Sequence, residues 1–264
     1  MTEAETVRLL CLPYSGASAA IYGRWRRSLP DGIDVIPVEL PGRGARMAEA
    51  LFTDPHRLAA RLADEIEGHV IEEHVTGPGA PPYAVFGHSL GALLAFELVH
   101  ALIARGAPAP RVLFVSGSEA PALRDDATFR RARSDADLID LLRTRSGTPE
   151  EALADAELMA LVLPVLRADF LMCGAYVHRA RSPLPCPIQA LGGRQDTVTR
   201  AGLEAWSRET LAGFDLALFE GGHFFIHEHR GAVLDCIGRR ISAPLHGPMR
   251  APGRRDATTE GAPA

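Results

Sequence analysis

The apolar residues of this chain gather in short continuous runs, and they do not alternate with polar residues. Strands that are buried on both faces have this pattern. Segments with helical periodicity separate the runs, which predicts parallel strands linked by crossing helices. We therefore expect an α/β fold, with a mostly parallel sheet and helices on both of its faces. The predicted strands are 7–13, 33–40, 83–87, 111–117, 187–193 and 214–222, and the predicted helices are 55–75, 89–105, 200–211 and 226–240.

The regular alternation stops between residues 121 and 181, where helical patterning continues without a strand-like run. An all-helical insertion cannot lie in the sheet. We expect it to form a lid over the carboxyl ends of the strands, where open α/β sheets bind ligands. The predicted domain covers 1–242, with its core at 1–120 and 182–242. Residues 243–264 are rich in Pro, Gly, Ala and charge without periodicity, which predicts a disordered tail.

Composition narrows the possible functions. The net charge of −5 and the pI of about 6.1 argue against a nucleic-acid partner, which needs clustered positive charge. The four cysteines lack CxxC spacing, and we expect neither a signal peptide nor a membrane span, so the sequence indicates a cytoplasmic protein. The chain contains no lysine and no asparagine. This excludes a pyridoxal Schiff base, a phosphate-loop lysine, a Ser/Lys dyad and a Cys/His/Asn protease site.

The most informative motif is G-x-S-x-G at 87–91, between a predicted strand and a predicted helix. In this setting the serine lies on a tight, strained turn, and glycines stand where side chains would collide. Ser89 is therefore the candidate nucleophile. The amide of Leu90, at the start of the helix, is a candidate donor to the oxyanion that forms during acyl transfer. The motif and its placement predict the α/β-hydrolase fold.

A serine hydroxyl needs a base, and the base needs a carboxylate that orients it. In this fold the order along the chain is serine, acid, histidine. Asp196 follows the fifth predicted strand and His223 follows the sixth, so both are expected at the same sheet edge as Ser89. Glu119, after the fourth strand, is the alternative acid.

The mechanism also requires a second amide for the oxyanion, usually from the loop after an early strand. The small-residue loop at 12–20 has this position, and Ser15 or Gly16 is the candidate donor. An ordinary glycine turn is the alternative interpretation of the loop. We expect neither a metal nor a cofactor in the site.

Seven segments together resemble the type II, or editing, thioesterases that accompany polyketide synthases and nonribosomal peptide synthetases. They are LPYSGASAAIYGRW at 12–25, VELPGRGARMAEALFTD at 38–54, FGHSLGALLAFEL at 86–98, LFVSGSEAP at 113–121, LPVLRADF at 163–170, PLPCPIQALGGRQD at 183–196 and FEGGHFFIHEH at 219–229. The resemblance implies a triad of Ser89, Asp196 and His223 and a helical lid at the acyl channel. It also implies a phosphopantetheinyl acyl or peptidyl carrier protein as the partner that brings the acyl thioester. We expect the protein to act as a monomer that clears stalled or mis-primed acyl groups.

The chain departs from the usual pattern of this family at three places. The first loop reads PYSGAS where a histidine or phenylalanine followed by Ala-Gly-Gly is usual, and the lid has Gly174 and His178 where a glutamate and a tyrosine are usual. Acyl preference is therefore not inferred from relatives. Three other activities remain open: an acyltransferase or product-releasing cyclase with the same triad, a small-molecule esterase, and a non-enzymatic binding module on a hydrolase scaffold.

Overall fold

The protein contains six strands in the described residues, and each overlaps one of the predicted runs. A computed structural model describes residues 6–67, 82–124, 129–130, 133–145 and 150–243. The strands are β1 (Val7–Leu12), β2 (Ile33–Pro37), β3 (Tyr83–His88), β4 (Leu113–Ser116), β5 (Ile188–Gly193) and β6 (Phe214–Phe219). The predicted tail lies almost wholly outside the described residues.

All six strands run parallel in one sheet, in the order β2-β1-β3-β4-β5-β6. In the register of the sheet Leu12 of β1 stands beside Gly87 of β3, and His88 stands beside Ser116 of β4. The carboxyl ends of these strands therefore meet at one edge. The order reverses direction beside β1, which is where open α/β sheets form a ligand crevice.

The helices confirm the predicted alternation and correct some of its bounds. They are α1 (Pro55–Glu67), α2 (Leu90–Ala104), α3 (Asp135–Arg145), α4 (Glu150–Ala154), α5 (Ala156–Ala175), α6 (Arg200–Glu204), α7 (Phe225–Glu228) and α8 (Arg230–Ser242). The predicted helix 200–211 is α6 followed by a 3₁₀ segment, Ala205–Glu209. The predicted helix 226–240 divides at His229, whose φ of −113° and ψ of 33° are not helical. Residues 68–75 of the first predicted helix lie outside the described residues.

Two apolar cores cover the faces of the sheet, as the continuous strand runs predict. On one face, side chains such as Leu10 and Val85 pack with α1 and α2. On the other face, Leu9 and Phe86 pack with residues of α8 and with the aromatic segment around Trp25. Burial on both faces fixes the sheet as a rigid support for the loops at its carboxyl edge.

The described residues between β4 and β5 form three α-helices and no strand. They are α3, α4 and α5, which share a small core of their own formed by Leu138, Leu153, Met159, Leu163 and Leu166. The side chain of Asp155 accepts the amides of Glu157 and Leu158, so it caps the amino end of α5. The lid at 121–181 stays a prediction.

Helix α5 is long and apolar enough, by length and composition alone, to cross a membrane, with a mean hydropathy of 1.8. A core helix of a soluble protein meets the same criterion. Asp169 of α5 is fully buried in an ion pair with Arg43, and several of its apolar side chains pack within the protein. We therefore interpret α5 as a packed helix of the fold.

Candidate active site

Ser89 lies on the turn between β3 and α2 in a strained backbone conformation. Its φ is 55° and its ψ is −116°, and it is the one non-glycine residue with a positive φ in the part of the chain that the structure describes. Such a conformation costs of order 1–3 kcal/mol and persists only where its surroundings hold it. The Ser89 amide donates to the carbonyl of Ser116 at 2.8 Å, and its carbonyl accepts the Ala92 amide at 3.1 Å. The turn leaves the serine side chain partly exposed.

The two glycines of the motif allow this turn to pack against its neighbours. A Cβ at Gly87 would stand 2.0 Å from the carbonyl oxygen of Gly91, and a Cβ at Gly91 would stand 2.4 Å from that of Leu12. Real Cβ atoms do not approach backbone this closely. The start of α2 therefore presses directly on the end of β1, which brings the Leu90 amide close to the loop that follows β1.

His223 and Asp196 are joined as the sequence predicts. The Nδ1 atom of His223 lies 2.8 Å from Oδ2 of Asp196, and the Asp196 side chain is only 2% exposed. Burial opposes the charge of Asp196, but the hydrogen bond from His223 and the charge of His223 outweigh burial and lower the pKa of this carboxyl. An ionised carboxylate only accepts hydrogen bonds, so Nδ1 carries the proton and Nε2 is left to act as a base.

Backbone hydrogen bonds link the loop that carries the acid to the loop that carries the base. The Arg194 amide donates to the Phe219 carbonyl at 2.8 Å, and the Gln195 amide donates to the Gly221 carbonyl at 3.0 Å. A Cβ at Gly193 would stand 2.3 Å from the carbonyl oxygen of Gly222. The bare glycine thus permits the close approach that sets the Asp196 and His223 loops side by side.

His88, the residue before Ser89, contacts both Ser116 and the ring of His223. Its ring is fully buried, Nδ1 lies 2.9 Å from the Ser116 hydroxyl, and its ring centroid lies 5.0 Å from that of His223. Burial, helped by the charge of His223, lowers the pKa of His88 well below its ordinary value. A neutral imidazole, on the residue directly before Ser89, therefore packs against the catalytic candidate His223.

Of the two candidate amides in the loop after β1, one is already engaged. The Gly16 amide donates to Oδ2 of Asp169 at 2.8 Å. The amides of Ser15 and Leu90 have no acceptor among the described residues. The geometry therefore narrows the candidate donor from this loop to Ser15.

The alternative acid, Glu119, is engaged elsewhere. Its Oε1 accepts the Thr199 hydroxyl at 3.0 Å and the Thr199 amide at 3.4 Å. In the described ranges, no group of three or more His, Cys, Asp or Glu side chains is arranged to hold a metal ion. The carboxylate that contacts His223 is Asp196.

Sequence reasoning did not assign roles to two buried carboxylates, of which Asp169 contacts the loop after β1 and Glu97 does not. Asp169 of α5 pairs with Arg43, and Glu97 of α2 accepts hydrogen bonds from Tyr176 and Arg181. A signal for both was present, because each is an acidic residue within a mostly apolar helix. A carboxylate in that position is found buried almost only when it is paired.

Comparison with known proteins identifies the family. The sequence profile described as "Thioesterase domain" matches residues 7–241, a range that includes every candidate site residue. The chain belongs to the thioesterase family. The thioesterase is accordingly a hydrolase that acts on thioesters.

Relatives with known names agree with this family over nearly the whole chain. The gramicidin S biosynthesis protein GrsT of Aneurinibacillus migulanus is 36% identical over 93% of each chain. RedJ, a thioesterase from the prodiginine biosynthetic pathway in Streptomyces coelicolor, is 38% identical in sequence. Its structure matches with a TM-score of 0.78 over 90% of this chain and 86% of RedJ. The type II thioesterase BorB from the borrelidin biosynthetic cluster is 37% identical, with a TM-score of 0.78, over 89% of the thioesterase and 93% of BorB. These matches confirm the α/β-hydrolase fold and the resemblance to type II thioesterases.

Proposed function

We propose that this type II thioesterase hydrolyses acyl thioesters from phosphopantetheinyl carrier proteins, and so removes aberrant or stalled acyl groups in a polyketide or nonribosomal peptide system. The observation that carries the proposal is the hydrogen bond of 2.8 Å between His223 and Asp196. The His223 ring lies 5.0 Å from that of His88, the residue directly before the strained Ser89. The relatives support the choice of system, since RedJ and BorB are described by their biosynthetic pathways.

In the proposed mechanism the Ser89 hydroxyl attacks the thioester carbonyl while Nε2 of His223 accepts its proton. The amides of Leu90 and Ser15 donate to the oxyanion, and Asp196 stabilises the imidazolium. The pantetheine thiol then leaves with the proton from His223. Water, deprotonated by the same base, attacks the acyl-enzyme and releases the free acid and Ser89. The mechanism uses no metal and no cofactor beyond the phosphopantetheine of the partner.

The segment between β4 and β5 is proposed to act as a lid over the acyl site. Its support is the contact of α5 with the loop after β1, where Asp169 accepts the Gly16 amide and Leu166 packs against the glycine. The carrier protein would present its pantetheine arm at this edge of the sheet, where Ser89 is partly exposed. We propose that the protein works as a monomer in the cytoplasm.

The test is the variant Ser89→Ala, with Ser207→Ala as the matched control because Ser207 is exposed and distant in sequence from the motif. An acylated carrier protein is incubated with each variant, and the protein masses are followed. We expect no acyl-enzyme and no acid release with Ser89→Ala, and an unchanged rate with the control. Hydrolysis by Ser89→Ala at the wild-type rate would refute Ser89 as nucleophile.

The same assay separates hydrolysis from the alternative activities. Transfer of the acyl group to an added amine or alcohol would give an amide or an ester in place of the acid, which indicates an acyltransferase. Attack by an amine or hydroxyl within the acyl chain would give a cyclic product, which indicates a cyclase. Faster cleavage of free esters than of carrier-bound thioesters would indicate a small-molecule esterase. Failure of a fluorophosphonate probe to label Ser89 would support a binding module.

A further inference from the structure

Asp169 and Arg43 form a buried, bidentate ion pair. Nη1 of Arg43 lies 2.7 Å from Oδ2 of Asp169, and Nη2 lies 2.7 Å from Oδ1. Asp169 is fully buried and Arg43 is 5% exposed. Such a pair must overcome the desolvation of both charges, so its presence is weak evidence for a contribution to stability.

The pair holds the loop at 13–18 through its backbone. Oδ2 of Asp169 accepts the Gly16 amide at 2.8 Å, and Nη1 of Arg43 donates to the Ala17 carbonyl at 3.4 Å. Leu166, one helical turn before Asp169, lies on the same face of α5, and its Cδ1 would stand 3.1 Å from a Cβ at Gly16. Helix α5 therefore fixes this loop by a hydrogen bond and by packing.

The geometry of the loop links this contact to the Ser15 amide. The Ala17 amide donates to the Tyr14 carbonyl at 3.0 Å, and Gly16 has a φ of +80°, as the third residue of a type II turn requires. In a trans peptide the carbonyl and the amide point in opposite directions. Because the Tyr14 carbonyl points into the turn, the amide of Ser15 points out of it. The contact of Gly16 with Asp169 holds the turn in this orientation.

We infer that Asp169 and Arg43 are positioning residues for the oxyanion site. Catalysis then depends on the contact of α5 with the loop at 13–18. Neither side chain touches the reacting atoms in this role. Asp169 orients the turn so that the Ser15 amide is the donor, and Arg43 neutralises a carboxylate that would otherwise repel the nearby oxyanion. This inference rests on the proposed hydrolysis at Ser89.

The experiment compares two variants that remove the contact in different ways. Asp169→Asn keeps the shape of the side chain but loses its charge and half of the bidentate pair. The double variant Arg43→Met with Asp169→Leu removes both charges together, because apolar replacement of a whole buried pair usually preserves folding. The control is Arg181→Met, which takes a partner from another buried carboxylate, Glu97, without touching the loop.

Acid release from an acylated carrier protein gives kcat and KM, and a trifluoromethyl ketone analogue of the acyl thioester, which forms an oxyanion on Ser89, gives an inhibition constant. We expect the double variant to lose roughly 100-fold in kcat, the effect of one mispositioned oxyanion donor, with little change in KM. Affinity for the ketone should fall by the same factor as kcat/KM. Asp169→Asn should show a smaller loss in the same two quantities. Arg181→Met should lower thermal stability and leave kcat unchanged.

Two results would overturn the inference. One is an unchanged kcat in both variants despite a lower melting temperature. The other is a loss of activity that follows only the folded fraction, measured by circular dichroism in each sample. Absence of hydrolysis by the wild-type protein would refute the proposed function instead, so the two failures are distinguishable.

Discussion

The variant Asp196→Asn tests the arrangement of acid and base most directly. Asp196 is 2% exposed, its Oδ2 faces Nδ1 of His223 at 2.8 Å, and its Oδ1 accepts the Val198 amide at 3.3 Å and the Thr197 hydroxyl at 3.4 Å. An asparagine of the same shape keeps the contacts of Oδ1 and turns its NH₂ group toward His223. Because that group only donates, the histidine proton moves to Nε2.

A proton on Nε2 leaves His223 unable to accept the proton of Ser89. In a serine protease the equivalent change costs about 10⁴-fold in kcat. A thiolate is a better leaving group than an amine, but deprotonation of the serine is still required. We therefore expect a loss of about 10³- to 10⁴-fold, which is roughly 4–5 kcal/mol of transition-state stabilisation.

The assay is single-turnover release of acid from an acylated carrier protein near neutral pH, with thermal unfolding as the check on folding. Glu119→Gln is the matched control, because glutamine retains the oxygen that accepts the Thr199 hydroxyl. The control should keep wild-type activity. The reasoning fails if Asp196→Asn stays within tenfold of the wild type, or if Glu119→Gln is the more damaged variant.

Two further predictions concern stability. Burial, together with the charge of Arg181, lowers the pKa of His100 to about 4. Since an unfolded histidine titrates near 6.5, the unfolded state binds more protons between these values, and stability falls as the pH is lowered through this window. His100→Gln should weaken the dependence of the urea unfolding midpoint on pH across this range. Part of that dependence remains because burial also lowers the pKa of His88. An unchanged pH dependence would contradict the role given to His100. Gly174→Glu introduces the residue usual in the resembled family, but a Cβ at this position would stand 2.9 Å from the Phe129 carbonyl. We therefore expect the free energy of unfolding, measured with denaturant, to fall by about 1–3 kcal/mol. Gly174→Ala adds the same Cβ and should lose nearly as much. Wild-type stability in both Gly174 variants would show that the 129–130 segment does not pack there.

The sequence predicts the sheet well because burial on both faces leaves a local mark. Each strand is a continuous apolar run, and the glycine-flanked Ser89 follows one of them, so strand ends and candidate chemistry can be read together. The pairing of His223 with Asp196 was likewise predicted, since both follow strands at one edge of the sheet.

Other features depend on partners far apart in the chain. Whether Gly16 or Ser15 offers its amide is decided by Asp169, which lies 153 positions after Gly16. The predicted helix at 200–211 becomes partly 3₁₀ where Trp206 donates its indole N–H to the Ser118 carbonyl at 2.8 Å. The hydrophobic periodicity of the sequence does not predict such contacts, because tertiary hydrogen bonds override local propensity.

The hydrogen bonds between the loops after β5 and β6 have a consequence for turnover. Because backbone bonds and the glycine contact at Gly193 join them, the carboxylate and the imidazole are aligned once, when the chain folds, and not again for each substrate. If the helices between β4 and β5 act as the proposed lid, their movement changes access to Ser89 and the position of the Ser15 amide, while the geometry of proton transfer stays constant.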